Sequence, residues 1–164
     1  MKVQQYYPVL YLSGSGFLPF HPQIPVLMQK GSDLGERLFH AFDRELKNHP
    51  KVIVIGTDSP TFPEEQIEKA FQCLENHDAV IGPSEDGGYY LIGLRTLIPE
   101  IFVNIEWGST TVLESTVSKI GGHSYQLLEP FFDVDTPADV ARLREEFSTS
   151  SPLRCLREWM RWNY

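Results

Sequence analysis

Cysteine is scarce in this chain: Cys73 and Cys155 stand far apart and without C-x-x-C spacing. That excludes a disulfide framework and a thiolate zinc cluster, and it fits buried thiols in a reducing compartment. Five histidines are scattered without ligand spacing and carry no assigned chemistry. Basic residues are also few, 14 against 22 acidic ones for a formal net charge of -8. A sequence-independent grip on nucleic acid needs a basic surface, so nucleic acid is excluded as a partner. No apolar run approaches the roughly 18 residues of a membrane span, and no basic segment followed by an apolar stretch opens the chain. The expectation is a soluble, cytoplasmic protein; when such an acidic protein handles phosphates, it usually does so through a divalent metal.

What is present is enough apolar residue, 41% of 164, to build one core, so residues 1–164 are expected to form a single domain. Strand-length apolar runs alternate with helical periodicity, which is the α/β pattern. Strands are expected at 8–12, 26–28, 52–55, 79–82, 89–94 and 125–128, with a short apolar-acidic segment at 131–135. The run Val52-Ile53-Val54-Ile55 is β-branched throughout, as a central strand buried on both faces would be. Helices are expected from Asp33, with Glu36 completing a capping box and Leu34, Leu38, Phe42 and Leu46 along one face; from Thr61 and Glu64; and from Thr111 and Glu114. Two more follow, one opened by Pro137 and running to about Phe147, and one over 153–162.

Ligands of open α/β sheets bind beyond the carboxyl ends of the strands, so acids there carry more weight than acids on helix faces. Gly56-Thr57-Asp58-Ser59-Pro60 lies at such an end, and Asp58 is either a magnesium ligand or a turn cap. Asp133 and Asp135 share a face of a second acidic strand end, again as ligands or as a capping cluster. The loop Glu85-Asp86-Gly87-Gly88-Tyr89-Tyr90 combines acids, glycines that admit close backbone approach, and aromatic faces suited to sugars or bases. On pattern alone it is equally a hairpin loop with core tyrosines. Trp107-Gly108-Ser109-Thr110 leads into a helix N-terminus, where anions are favoured.

Gln29-x-Gly31-x-Asp33-Leu34-Gly35-Glu36-Arg37, Gly56 to Pro60, Gly82 to Leu94, Trp107-x-Ser109-Thr110 and Asp133-x-Asp135-Thr136-Pro137-x-Asp139 occur in this order. Together they resemble the GT-A-fold radical-SAM/selenodomain-associated transferases, a family related to nucleotide-diphospho-sugar transferases. The resemblance covers 26–147, leaving 148–164 as a C-terminal helix. It implies a three-layer, Rossmann-like GT-A fold. It also implies Mg2+ (or Mn2+) held by Asp58 and Asp135, and a nucleotide along Gln29, Gly31, Asp33, Gly35 and Arg37. A sugar or acceptor would face Gly87, Gly88, Tyr89, Tyr90, Trp107, Ser109 and Thr110, with Asp58, Glu85 and Asp86 as the candidate catalytic acids. Such families begin with a strand and a Pro-Gly-x-x-Lys-Thr-Arg-Leu phosphate loop. Nothing of that kind precedes Pro8, so the fold is expected to be N-terminally shortened, leaving the strand at 8–12 or at 52–55 with an unpaired edge that a homodimer would cover.

The reading is a magnesium-dependent transferase of a glycosyl or nucleotidyl group from a nucleotide or nucleotide-sugar donor to an unspecified acceptor. The alternative is a degenerate, non-catalytic GT-A-like domain that binds a nucleotide or a protein partner. A metal-dependent phosphohydrolase lacks an evident nucleophile or base beyond Glu85 and Asp86.

Overall fold

The computed structural model describes residues 6–14, 23–56 and 64–131. Asp58, Asp133, Asp135 and the two helices expected after Thr136 lie outside the described residues. Chain order is β1 (Leu10–Leu12), β2 (Val26–Met28), α1 (Leu34–Glu45), β3 (Val52–Ile55), α2 (Glu64–Cys73), β4 (Ala79–Pro83) and β5 (Tyr89–Leu94). A 3-10 turn (Pro99–Phe102), α3 (Val112–Ser118) and β6 (Tyr125–Leu127) follow. The 3-10 turn has no counterpart in the sequence-based expectations.

Local chemistry explains where α1 begins. Asp33 is its N-cap, its Oδ1 accepting from the Glu36 amide at 2.8 Å. Glu36 reaches back to the Ser32 amide at 2.7 Å, one residue earlier than a capping box requires. Gly35, Leu38, Ala41 and Phe42 form the buried stripe. Leu34, expected on that stripe, is 44% exposed, because the buried face starts at Gly35. α3 starts where expected, with Thr111 as its N-cap, but no side-chain bond caps it. The Thr111 amide donates to Ser109 Oγ at 3.3 Å.

Among the described residues, four strands form one mixed sheet in the order β3-β5-β4-β6. β5 runs antiparallel to β3 and β4, and β6 runs parallel to β4. β1 and β2 form a separate parallel pair. Period-two alternation divides the sheet residues between two cores. Ala79, Ile81, Ile92 and Leu94 face Leu38 and Phe42 of α1, the 3-10 turn and Ile120 beyond α3. Val80 and Leu91 face Ala70 and Leu74 at α2. Helices therefore cover both faces, and each fully buried aliphatic or aromatic side chain contributes about 1.5–3 kcal/mol. The expected central strand β3 is, among the described residues, the edge of this sheet. It pairs with β5 alone, and all four of its residues stay half-buried.

The alternation breaks once, and the break shapes the candidate site. Gly82 opposes Leu91 while Pro83 opposes Tyr89, so Tyr90 is an extra residue in β5. The bulge sends Tyr89 to the α1 core and Tyr90 to the α2 core. Tyr90 lies directly over Gly82, where a Cβ would meet its ring. Gly82→Ala is therefore expected to destabilise the fold by about 1–3 kcal/mol. Urea unfolding of Gly82→Ala and of Gly82→Ala/Tyr90→Leu tests this: the smaller residue at 90 should recover part of the loss, and an unchanged midpoint for Gly82→Ala would refute the packing.

At the other end of the sheet Asp78 joins three strands. It accepts from the Ser124 amide at 2.9 Å, ahead of β6, and from Arg95 Nε at 3.0 Å, just past β5. The Ser124 amide and hydroxyl, then Arg95, hold its carboxyl down to about 2.

Candidate functional site

The site is built at the end of the sheet where β3, β4 and β6 exit and β5 enters. Its centre is the turn from Ser84 to Gly88, closed on itself. The Ser84 amide donates to Gly88 O at 3.1 Å and the Gly87 amide to Ser84 O at 3.3 Å. Asp86 Oδ1 accepts from Ser84 Oγ at 2.5 Å and from the Gly88 amide at 2.9 Å. These two donors, the hydroxyl foremost, hold the Asp86 carboxyl below its usual range against the opposing effect of burial. Asp86 thus organises the loop from within, while Glu85 stands exposed at its tip.

Gly87 has φ +92° and lies so close to Thr110 that a Cβ would overlap the Thr110 carbonyl. The Leu113 amide donates to Gly87 O at 2.9 Å, so the loop is fixed to the start of α3. The loop is also tied to the segment after β6. The Phe131 amide donates to Pro83 O at 2.9 Å and the Glu85 amide to Phe131 O at 3.2 Å. The amides of Ser84, Glu85, Gly87 and Gly88 are all spent inside the protein, so here the paired glycines serve backbone conformation and packing.

The nucleotide-binding candidates reach this end through α1. Gly35 is buried where any side chain would strike Phe102 O and Trp107 Nε1. Trp107 in turn meets Tyr89 edge-on, with ring centroids 6.4 Å apart. Gly35, Trp107 and Tyr89 form one packed path from α1 to the loop, and Gly87 and Thr110 form a second. Gly31, with φ +132°, shapes the entry to α1, and Arg37 Nε donates to Gly31 O at 3.3 Å. Gln29 donates to Tyr11 O at 3.4 Å, which links the segment to β1. Ser109 Oγ lies 2.9 Å from Thr111 Oγ1.

Both tyrosines of the motif are packed into the fold. Tyr90 donates to Glu129 O at 3.1 Å, and burial pushes its phenol up to about 12. The Tyr89 hydroxyl is buried beside Thr116, without a partner at hydrogen-bond distance, and burial raises its pKa. Sequence reasoning missed Ser84 and Phe131, which hold the loop in place. The signal for Ser84 was a hydroxyl two residues before an aspartate at a turn.

Among the described residues no group of three His, Cys, Asp or Glu side chains could hold a metal ion. The proposed ligands Asp58 and Asp135 lie outside them, but their approaches are described. The Gly56 amide donates to Tyr90 O at 3.0 Å, and Phe131 pairs with Ser84. The two chain segments that lead into Asp58 and Asp135 therefore leave the sheet at the same end, on either side of the Tyr90 bulge. No helix among the described residues is long and apolar enough to cross a membrane.

These features define a mixed α/β domain with its candidate site at one end of the sheet. Residues 12–109 match the family described as "Uncharacterized protein conserved in bacteria (DUF2064)", and the chain belongs to that family. The match takes in Asp58 and the 84–88 loop and stops short of Asp135. A crystal structure of a "putative nucleotide-diphospho-sugar transferase" from Desulfovibrio desulfuricans G20 is similar, with 40% identity and a TM-score of 0.67. The similarity covers 70% of this chain and 52% of that one, so this chain spans about half the length of that protein. A search of curated proteins finds no match.

Proposed function

We propose that this chain is a GT-A-like domain that binds a nucleotide or nucleotide-sugar at the sheet end carrying loop 84–88 and transfers its glycosyl or nucleotidyl group. The observation that supports the reading is the common exit of Gly56 and Phe131 beside that loop, the end at which a site shared by Asp58 and Asp135 would form. The similarity to the Desulfovibrio structure supports the donor class. A divalent ion such as Mg2+, held by Asp58 and Asp135, would neutralise charge on a departing phosphate. The residues from Gln29 to Arg37 would border the nucleotide, and Glu85 would stand at the acceptor side. Asp86, Gly87, Tyr89 and Trp107 would act by holding these groups in position.

A second reading, a binding domain without catalysis, draws on the enclosure of Tyr89 and Tyr90, which gives those residues a packing role sufficient in itself. A thermal-shift panel of nucleotides and sugar nucleotides, with and without Mg2+, tests the proposal. A ligand at 100 times its dissociation constant stabilises by about 2.7 kcal/mol. At least one sugar nucleotide is expected to raise Tm by several degrees only when Mg2+ is present. A shift that ignores Mg2+ would favour the second reading, and a flat panel would sink both.

A further inference from the structure

Aspartate followed by glycine occurs once in the 164 residues, at Asp86-Gly87 in the site loop, and asparagine followed by glycine does not occur. The pair has a chemistry of its own. Glycine has no Cβ to shield its nitrogen, so the Gly87 amide nitrogen can attack Cγ of a protonated Asp86 carboxyl. A bond forms between Gly87 N and Asp86 Cγ, and the carboxyl hydroxyl leaves with the amide proton as water. Water then adds back to the cyclic imide. Opening at Cγ restores aspartate; opening at the main-chain carbonyl carbon gives isoaspartate, which has an extra carbon in the backbone. Water is the only other reactant, and the mass is unchanged.

The folded loop withholds each reacting group. The Gly87 amide donates to Ser84 O at 3.3 Å. Asp86 Oδ1 accepts from Ser84 Oγ at 2.5 Å and from the Gly88 amide at 2.9 Å, bonds that favour the carboxylate, which has no hydroxyl to lose. Gly87 is also held from α3, since its carbonyl accepts from the Leu113 amide at 2.9 Å and its Cα stands against Thr110. Turning Gly87 N onto Asp86 Cγ means breaking these contacts. Ser84 enters the turn three times, through its amide to Gly88 O, its carbonyl to the Gly87 amide and its hydroxyl to Asp86. It is buried, whereas Asp86 lies at the surface.

We infer that Asp86-Gly87 is a covalent modification site, converted to isoaspartate through the imide when loop 84–88 opens, and that Ser84 is the latch that keeps the loop shut. The product cannot refit, because an added backbone carbon displaces Gly87 from its packing against Thr110. The inference does not depend on the nucleotide reading: every group in it belongs to the loop and its anchors.

The test is the rate of isoaspartate formation in the full chain near neutral pH, read by chromatographic separation of the isoaspartyl peptide from its aspartyl form of equal mass after proteolysis. The chain unfolded in urea should convert at least about tenfold faster than the folded chain, since reaction from the folded state waits on local opening. Ser84→Ala, kept below its own urea midpoint, should convert about tenfold faster than the folded wild type, as loss of a hydrogen bond to a charged group predicts. Three results overturn the inference. No isoaspartate at position 86 in urea would mean that the bond is not reactive. Equal rates in folded and unfolded wild type would mean that the loop withholds nothing, and this comparison needs no variant to fold. A folded Ser84→Ala chain that converts at the wild-type rate would mean that Ser84 is not the latch.

Discussion

Gly87→Ala should unfold the loop that carries the site, and Gly108→Ala, a change of the same chemistry at a similar φ, should not. Gly87 sits at φ +92° and Gly108 at φ +84°, so a side chain is strained at both, at a cost of about 1 kcal/mol or somewhat more. Their surroundings differ. A Cβ on Gly108 meets nothing within 4 Å, whereas one on Gly87 overlaps the carbonyl of Thr110, a backbone atom that no rotamer change can move. Relieving that overlap means separating the loop from α3 and breaking the bond from the Leu113 amide to Gly87 O. Overpacking adds about 1–3 kcal/mol to the strain, so Gly87→Ala should cost about 2–4 kcal/mol and Gly108→Ala about 1 kcal/mol. Urea unfolding of the two variants measures the difference directly. Equal midpoints would show that the glycine at 87 answers only to its backbone angle.

The contrast also shows what could be read before the structure was known. Strand positions were legible because β-branched runs and turn residues mark them locally. Val26–Met28, Val52–Ile55 and Tyr89–Leu94 fall where the pattern put them. Strand neighbours were not legible, because pairing is a long-range choice that period and propensity do not encode. Val52–Ile55 therefore read as central and stands at an edge of the described sheet. The tyrosine pair shows a second limit. Strict alternation sends neighbours to opposite faces but does not reveal that the register of β4 slips at Pro83 and so decides which ring meets Trp107. The loop was legible as a special element through its glycines. What those glycines do was not, since an amide spent on a carbonyl and an amide offered to a ligand look alike in sequence.

Asp58→Asn and Asp135→Asn should each remove the Mg2+-dependent part of nucleotide stabilisation, and the double variant should lose little more than either alone. The expectation rests on the proposed site: two carboxylates holding one ion act as a unit, so the first loss disposes of most of what the pair provides. Changes one step removed from a metal lower affinity by about 10–100-fold, so loss of a direct ligand should cost at least about 100-fold in apparent Mg2+ affinity. Asparagine keeps the shape and removes the charge. Asp43→Asn is the matched control: it also removes one negative charge, but from an exposed ion pair with Lys47 on α1, worth less than about 1 kcal/mol. Calorimetric titration of Mg2+ into each variant with saturating sugar nucleotide separates the outcomes. Independent, additive losses at 58 and 135 would mean that the two carboxylates do not share one ion. Wild-type titration in either variant would remove that residue from the ion, and with it the reason for placing a phosphate-bearing ligand between the exits of Gly56 and Phe131.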